Sequence, residues 1–193
     1  MRRVAEVTVR PASLADIEDM LEVESAAWPE ESRASREMLE SRISVFPEGQ
    51  LCAFSNGHMV GHAATQIIRL DLSNPPSSWF SLTDNGFIRA SHDPKGDTLY
   101  GINMSVGNSS EGSVAGALLQ AIKNELIIDR KLLRGAMGSR MPGYHRYAAK
   151  MSAWEYATAK RSNGNPLDPE ISLFIALWGG GGSPKRPTKL FPM

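Results

Sequence analysis

Residues 100–119 have the sequence YGINMSVGNSSEGSVAGALL, which joins a strand pattern to a helix pattern through a turn of small residues. In the first part the apolar side chains alternate, at Tyr100, Ile102, Met104 and Val106. The positions between them are mostly small or polar, which is typical of a strand with two different faces. A strand buried on both faces usually has bulky residues on both, so the second face is predicted to be open to a ligand.

The turn between this strand and the helix consists mainly of small residues. Two glycines and three serines lie within residues 107–113, and apolar residues at helical spacing follow, from Val114 to Leu126. Such a turn lets several backbone N–H groups approach one anionic ligand, for example a phosphate. No Gly-Lys-Ser/Thr follows the turn and no G-x-G-x-x-G spacing is present, so the P-loop and the dinucleotide fingerprint are excluded.

Composition narrows the class of protein. With 193 residues, 41% hydrophobic and 22% charged, the chain fits one globular domain with an adequate core. The formal net charge is zero, which gives no support for a nucleic-acid or membrane partner. The one cysteine, Cys52, has no internal disulfide partner, and no secretory signal or long apolar span is present, so a cytoplasmic protein is predicted.

Two kinds of catalytic site find no support in the sequence. One cysteine and four scattered histidines offer no metal-ligand spacing, so no metal site is predicted. No G-x-S-x-G turn is present, which excludes a Ser-His-Asp hydrolase of that type.

The rest of the chain predicts a mixed set of strands and helices. Ser13 and Ser35 are the expected N-caps of two helices that end before Pro29 and Pro47, and Asn56-Gly57 is a strong hairpin turn. Residues 71–97 form a long excursion with one helical turn near Trp79, a length typical of lids and substrate walls. Besides the strand at 100–106, strands are predicted at 4–10, 51–54, 58–70, 132–138 and 171–177, and late helices at 144–149 and 153–161. This order predicts an α/β protein with a three-layer sandwich around a mixed sheet.

At residues 5–177 the chain resembles the GNAT superfamily of acyl-CoA-dependent N-acyltransferases. The resemblance rests on the order of the strands and helices and on two stretches of sequence, Gly96-Asp-Thr-Leu-Tyr-Gly101 and Gly138-Ser-Arg-Met-Pro-Gly-Tyr-His145. These stretches are similar to a GNAT branch whose domains occur alone or beside a carbon–nitrogen hydrolase domain. The resemblance implies a three-layer α/β/α sandwich around a mixed, mostly antiparallel sheet. Residues 1–178 would form one acyltransferase domain.

The resemblance also implies a reaction and a cofactor. An acetyl or other acyl group would move from acetyl-CoA to a primary amine of a small molecule or peptide by direct attack, without a covalent enzyme intermediate. The pantetheine arm would pair with the strand, and a backbone N–H near Ser105 or Val106 would polarise the thioester carbonyl. The pyrophosphate would bind N–H groups of the turn. The cofactor-binding residues would be Asn103, Met104, Ser105, Val106, Ser110, Glu111, Gly112, Ser113, Val114, Ala115, Gly116 and Arg140.

Proton transfer would need further groups. Tyr147, seven residues after Arg140, is the first candidate for the acid that protonates the leaving thiolate, and Tyr144 is the second. Either tyrosine is equally consistent with a ring packed against the sheet. Arg140 would bind a phosphate or a substrate carboxylate, or else brace its loop. The base candidates are His62, His92, His145, Glu24 and Asp97, and transfer through water alone is the alternative.

The chain departs from the GNAT pattern in two places. The turn motif Q/R-x-x-G-x-G/A falls on Ser110, Ser113 and Ala115, and Glu111 adds a carboxylate that would repel the pyrophosphate, so weaker cofactor binding is expected. After the strand at 171–177, residues 179–193 form a Gly/Pro-rich tail in place of a closing hairpin. A homodimer would cover the strand edge left without that hairpin. These departures keep two alternatives open, a non-catalytic acyl-CoA-binding or regulatory module and an inactive remnant.

Overall fold

The computed structural model describes residues 6–71, 73, 78–107, 113–138, 141 and 143–168. Several predictions fall on other residues and lie outside this description. They concern the turn residues Ser110, Glu111 and Gly112, the candidate Arg140, the strand at 171–177 and the tail at 179–193.

Five strands form one mixed sheet in the order β1-β2-β3-β4-β5. Neighbouring strands are antiparallel except for β4 and β5, which are parallel. The strands are β1 (Val7–Pro11), β2 (Gln50–Ser55), β3 (His58–Ile68), β4 (Thr98–Val106) and β5 (Arg134–Met137). The turn between β2 and β3 has positive φ at both central residues, 50° at Asn56 and 81° at Gly57, which is the geometry that Asn-Gly favours in a tight hairpin.

The described residues contain five α-helices. They are α1 (Ile17–Ala27), α2 (Arg36–Val45), α3 (Trp79–Leu82), α4 (Ser113–Ala121) and α5 (Ala153–Thr158). A 3-10 turn at Leu14–Asp16 precedes α1, and α4 continues as a π-helix over Ile122–Ile128. The helix predicted at 144–149 is only a 3-10 turn, Tyr144–Arg146. No helix in the described ranges is long and apolar enough to cross a membrane.

Side-chain hydrogen bonds lie at the starts of the first two helices, and the one at α2 is a cap by the N-cap residue. The Ser35 hydroxyl accepts a hydrogen bond from the Met38 N–H at 3.3 Å, as its sequence position predicts. Before α1, the Asp16 carboxylate accepts from the Ser13 N–H at 2.7 Å and from two nitrogens of Arg10 at 2.9 and 2.6 Å. The Arg10 guanidinium and the Ser13 donors hold the pKa of Asp16 well below its usual range.

Helices cover both faces of the sheet. Adjacent residues of β3 point to opposite faces: His62 contacts α1, while Gly61 faces α4. A Cβ at Gly61 would come within 2.9 Å of Val114, so α4 packs directly on the backbone there. On the α1 and α2 side the core cluster consists of Ala12, Ile17, Met20, Ala34, Leu39, Ile43 and Cys52. The predicted three-layer α/β/α arrangement is confirmed.

Cys52 lies in the middle of this core. Its side chain is fully buried and it forms no disulfide. Burial raises the pKa of the Cys52 thiol to about 12, so the thiol stays protonated at neutral pH.

The chain divides into two compact units. The first contains the described residues of Met1–Leu70 and Phe80–Met137, and therefore the whole sheet with α1, α2 and α4. The second contains the described residues of Asp71–Trp79 and Gly138–Met193, including α5. The single domain over residues 1–178 stays a prediction.

Candidate functional site

The site begins where β5 ends beside β4. The parallel pairing of these strands runs from Thr98↔Arg134 to Gly101↔Met137, whereas β4 continues to Val106. Beyond Gly101, no strand lies along that edge of β4 in the part of the chain that the structure describes. The final residues of β4 therefore have one edge paired with β3, and no described strand pairs with the other, which is called the open edge below.

The direction of the backbone amides on this edge follows from one hydrogen bond. The Gly107 N–H donates to the Val60 carbonyl at 3.0 Å, so residue 107 points its polar groups at β3. Amide direction alternates along an antiparallel strand, so Ser105 and Asn103 also point theirs at β3. The N–H groups of Met104 and Val106 consequently face the open edge.

A buried carboxylate, Glu24, lies in the last turn of α1 beneath β4. Its Oε1 accepts hydrogen bonds from Asn103 Nδ2 at 2.9 Å and from the Ser105 hydroxyl, and its Oε2 accepts from the Ala34 N–H at 2.7 Å. Only 1% of Glu24 is exposed. A carboxylate is stable in such a place only because donors surround it.

His62 completes the surroundings of this carboxylate. Its Nε2 lies 2.9 Å from Glu24 Oε1, and the ring is fully buried opposite Ser105 in the β3–β4 ladder. Neither ring nitrogen makes a well-directed hydrogen bond to the described residues. Burial alone would raise the pKa of Glu24, but the contacts with His62, Ser105 and Ala34 outweigh it and hold this pKa below its ordinary value. Glu24 is therefore ionised at neutral pH.

Two further side chains extend the network on either side. The Trp28 Nε1 donates to the Ser105 hydroxyl at 2.7 Å. Arg42, in α2, donates from Nη1 to Asn103 Oδ1 at 3.3 Å and from Nε to the Gly86 carbonyl at 2.7 Å. Burial lowers the pKa of Arg42 to about 10, so its guanidinium remains charged at pH 7. Below, the buried polar network means Glu24, Trp28, Arg42, His62, Asn103 and Ser105.

The polar face of β4 is not open as predicted. Ser105 is fully buried beneath α1, where Glu24 and Trp28 occupy its hydroxyl, while Asn103 is half-buried. Neither Trp28 nor Arg42 was predicted from the sequence as a residue of the site. A signal for such residues exists in the helices, because Glu24 and Arg42 fall on the apolar stripes of α1 and α2, where a charge needs a partner.

The first turn of α4 offers backbone rather than side chains. Val114 is fully buried and packs towards Gly61, whereas a Cβ at Gly116 would meet nothing within 4 Å. Ala115 is half-buried, and α4 begins at Ser113.

The two predicted tyrosines lie in the second unit. The Tyr144 hydroxyl donates to the Met151 carbonyl at 3.0 Å, so its proton is already engaged. The Tyr147 ring lies 5.2 Å from the Tyr156 ring, the residue is 37% exposed, and its hydroxyl has no partner among the described residues. Of the two hydroxyls, that of Tyr144 is engaged and that of Tyr147 has no partner among the described residues.

The remaining base candidates have structural contacts. His92 Nδ1 accepts from the Ile67 N–H at 3.2 Å and its ring stacks on Phe46. Asp97 accepts hydrogen bonds from Thr98 and Arg134. His145 lies in the 3-10 turn of the second unit. In the described ranges, no group of three or more His, Cys, Asp and Glu residues is arranged to hold a metal ion.

Comparison with known proteins gives one relative along nearly the whole chain. The uncharacterized N-acetyltransferase YkwB of Bacillus subtilis (strain 168) is 33% identical over 189 residues, which cover 96% of this chain and 81% of the relative. The probable hydrolase YhcX of the same organism is 31% identical over 150 residues, 78% of this chain but only 29% of that longer protein. No protein-family model matches the chain.

Two solved structures share the fold. The GphF GNAT-like decarboxylase in complex with isobutyryl-CoA has a TM-score of 0.65 at 24% identity, over 88% of this chain and 84% of that one. The loading GNATL domain of CurA from Lyngbya majuscula has a TM-score of 0.66 at 18% identity, over 89% and 83%.

The mixed sheet with helices on both faces, in which β4 continues past the end of β5, is thus a GNAT-like fold. The 33% identity to YkwB over 96% of this chain shows that the chain belongs to the GNAT N-acetyltransferase family. The resemblance predicted from residues 96–101 and 138–145 is confirmed.

Proposed function

We propose that this protein transfers an acyl group from a CoA thioester to a primary amine of a small molecule. The open edge of β4, with the Met104 and Val106 N–H groups facing it, carries the proposal. The amine nitrogen forms a bond to the thioester carbonyl carbon, and the carbon–sulfur bond breaks. The amine loses one proton and the departing thiolate gains one, so the products are an amide and free CoA.

The open edge supplies what a pantetheine arm requires. The amide groups of the pantetheine arm can pair with an exposed strand edge as a neighbouring strand would. They use the N–H and C=O groups that alternate residues of the strand present. The N–H of Val106 then points at the thioester carbonyl and stabilises the negative charge that develops on its oxygen. The pyrophosphate binds at the start of α4, where Ser113 to Gly116 present backbone N–H groups. The CoA ligand of the GphF structure, which shares this fold, supports a CoA donor.

The buried polar network holds the strand that carries these groups. Glu24 fixes the side chains of both Asn103 and Ser105, and His62 fixes Glu24 from the neighbouring strand. We assign Glu24 and His62 as positioning residues, because Glu24 bonds Ala34, Asn103 and Ser105, and His62 contacts Glu24. The amine proton leaves through water, and Tyr147 is the acid that protonates the thiolate.

The proposal is tested by binding and turnover measured on the same preparation. Calorimetry with acetyl-CoA measures binding, and release of free CoA thiol across a panel of primary amines measures transfer. We expect saturable binding together with amine-dependent thiol release. Binding without release from any amine would favour the non-catalytic module, and absence of binding would favour the inactive remnant.

Replacing Tyr147 with phenylalanine tests the acid. We expect kcat to fall about 100-fold while the Kd for acetyl-CoA stays unchanged, because general acid catalysis typically contributes 10²–10⁴-fold. Tyr144→Phe is the matched control: its hydroxyl bonds the Met151 carbonyl, so its loss should lower stability and leave kcat within about threefold. An unchanged kcat in Tyr147→Phe would remove Tyr147 from this role.

A further inference from the structure

Arg42 is a buried cation that forms no direct ion pair among the described residues, because the Asn103 amide lies between it and the charged Glu24. The residue is 2% exposed, and in the described part of the chain no carboxylate forms an ion pair with it. Its guanidinium has five N–H donors, of which one bonds the Gly86 carbonyl and a second makes the long contact with Asn103. The Nη2 amino group makes no hydrogen bond to a described residue.

Buried charges in proteins are normally paired. The free Nη2 amino group of Arg42 is not sealed in the core, because in the described residues the fully buried side-chain atoms without a partner belong to Gln50 and His62. Glu24 is the nearest candidate in the network, but its oxygens are already engaged by Asn103, Ser105, Ala34 and His62. An anion from outside the protein would supply the missing partner.

The position of Arg42 separates this anion from the CoA phosphates. Arg42 contacts Asn103, which lies four residues before Gly107 at the end of β4. At about 3.3 Å per residue, that is about 13 Å from the start of the predicted phosphate turn. Along the strand, Asn103 adjoins Met104, whose N–H faces the open edge. Val106, which we assign to the thioester carbonyl, lies about 10 Å from Asn103 along the strand. The anion would therefore lie beyond that carbonyl, on the side away from the phosphates.

The loop after α3 holds the guanidinium in place. Arg42 Nε donates to the Gly86 carbonyl, and the neighbouring Ser41 hydroxyl donates to the Phe87 carbonyl at 2.7 Å. In the same loop Ile88 is fully buried with φ of 58°, a conformation that a β-branched residue rarely adopts. Strain of this kind persists where the surroundings enforce it, and it concentrates at ligand sites.

We propose that Arg42 binds a carboxylate carried by one of the two reactants. The guanidinium is held in a fixed plane, with Nη2 free and one N–H of Nη1 left over after its contact with Asn103. Such a pair of donors favours a carboxylate, which it binds through two parallel hydrogen bonds. The carboxylate belongs either to the acceptor, an amino-acid-like amine, or to the acyl group of the CoA thioester. This inference rests on the proposed acyl transfer.

Matched substrates distinguish the two sources. In the acceptor arm, amino acids are compared with their carboxamides, with acetyl-CoA as donor. In the donor arm, succinyl-CoA is compared with butyryl-CoA, which has a methyl group in place of the carboxylate. The acceptor in both reactions is one amine that has no other charged group. We expect kcat/KM to favour the carboxylate by about 10- to 150-fold in one of the arms.

Arg42→Gln tests whether Arg42 causes the preference. We expect the ratio of the two kcat/KM values to fall to near one in this variant. Because both substrates are measured on one preparation, the ratio is independent of the folded fraction. Ser41→Ala, which loosens the same loop but keeps the guanidinium, should retain the native ratio.

The two proposals fail in different ways. Thiol release with ratios near one in both arms would overturn the carboxylate site and leave acyl transfer intact. A native ratio in Arg42→Gln would also overturn it. If no amine gives release, the acyl-transfer proposal fails, and calorimetry with the same matched pairs then tests the site: equal affinities for both members of each pair would overturn it.

Discussion

Replacing Val106 with proline is expected to lower kcat by about 100- to 1,000-fold. Proline removes the one N–H that we assign to the thioester carbonyl, and loss of a single oxyanion donor has effects of this size. The sheet should tolerate the change, because the Val106 N–H faces the open edge and takes no part in the β3 ladder. Steady-state thiol release with acetyl-CoA gives the value.

Val106→Ala is the matched control for this variant. It keeps the N–H and removes only side-chain packing, so kcat should stay within about threefold of the native value. Thermal unfolding of both variants separates a local effect from loss of the fold. Equal losses of kcat in the alanine and proline variants would show that the side chain matters and the N–H does not.

Replacing Glu24 with glutamine is expected to lower the free energy of unfolding by about 3 kcal/mol at pH 7. The glutamine amide would turn an N–H₂ group towards donors that now share a carboxylate, so at least one buried donor would lose its acceptor. Chemical denaturation gives the difference. Glu22→Gln, an exposed position on the same helix, is the control and should change stability by less than about 0.5 kcal/mol.

The effect of Glu24→Gln should depend on pH in a defined direction. The folded protein holds the pKa of Glu24 below its ordinary value, so the ionised carboxylate contributes stability fully above the unfolded pKa of about 4.3. That contribution is lost as pH falls through the lower, folded pKa. The difference between native and variant should be largest near neutral pH and shrink below about pH 4. A difference that grew in acid would contradict this.

The fold could be predicted because its signals are local. Ser35 at the start of α2, Asn56-Gly57 at the hairpin and the alternation along β4 each act within a few residues. The same holds for the order of strands and helices, which follows from where such signals fall. The type and length of the short helices could not be predicted from the sequence. At Tyr144, for example, packing decides whether the first turn continues into an α-helix.

The buried polar network could be predicted only in part. Glu24, His62 and Ser105 were candidates for separate reasons, but their meeting depends on how α1 packs on β3 and β4. The contact between Glu24 and Ser105 spans 81 residues of sequence, and that between Arg42 and Asn103 spans 61. The direction of each amide on β4 depends likewise on ladder register, which shifts by one residue between Ala64 and Thr65.

The buried Cys52 has a practical consequence for every assay above. Because this one thiol of the chain is protonated and sealed in the core, a thiol-reactive dye should ignore the folded protein and count only released CoA. Unfolded chains expose it and add one dye equivalent each. The dye signal before substrate is added therefore measures the unfolded fraction of a variant, in the same sample that is then used to measure its turnover.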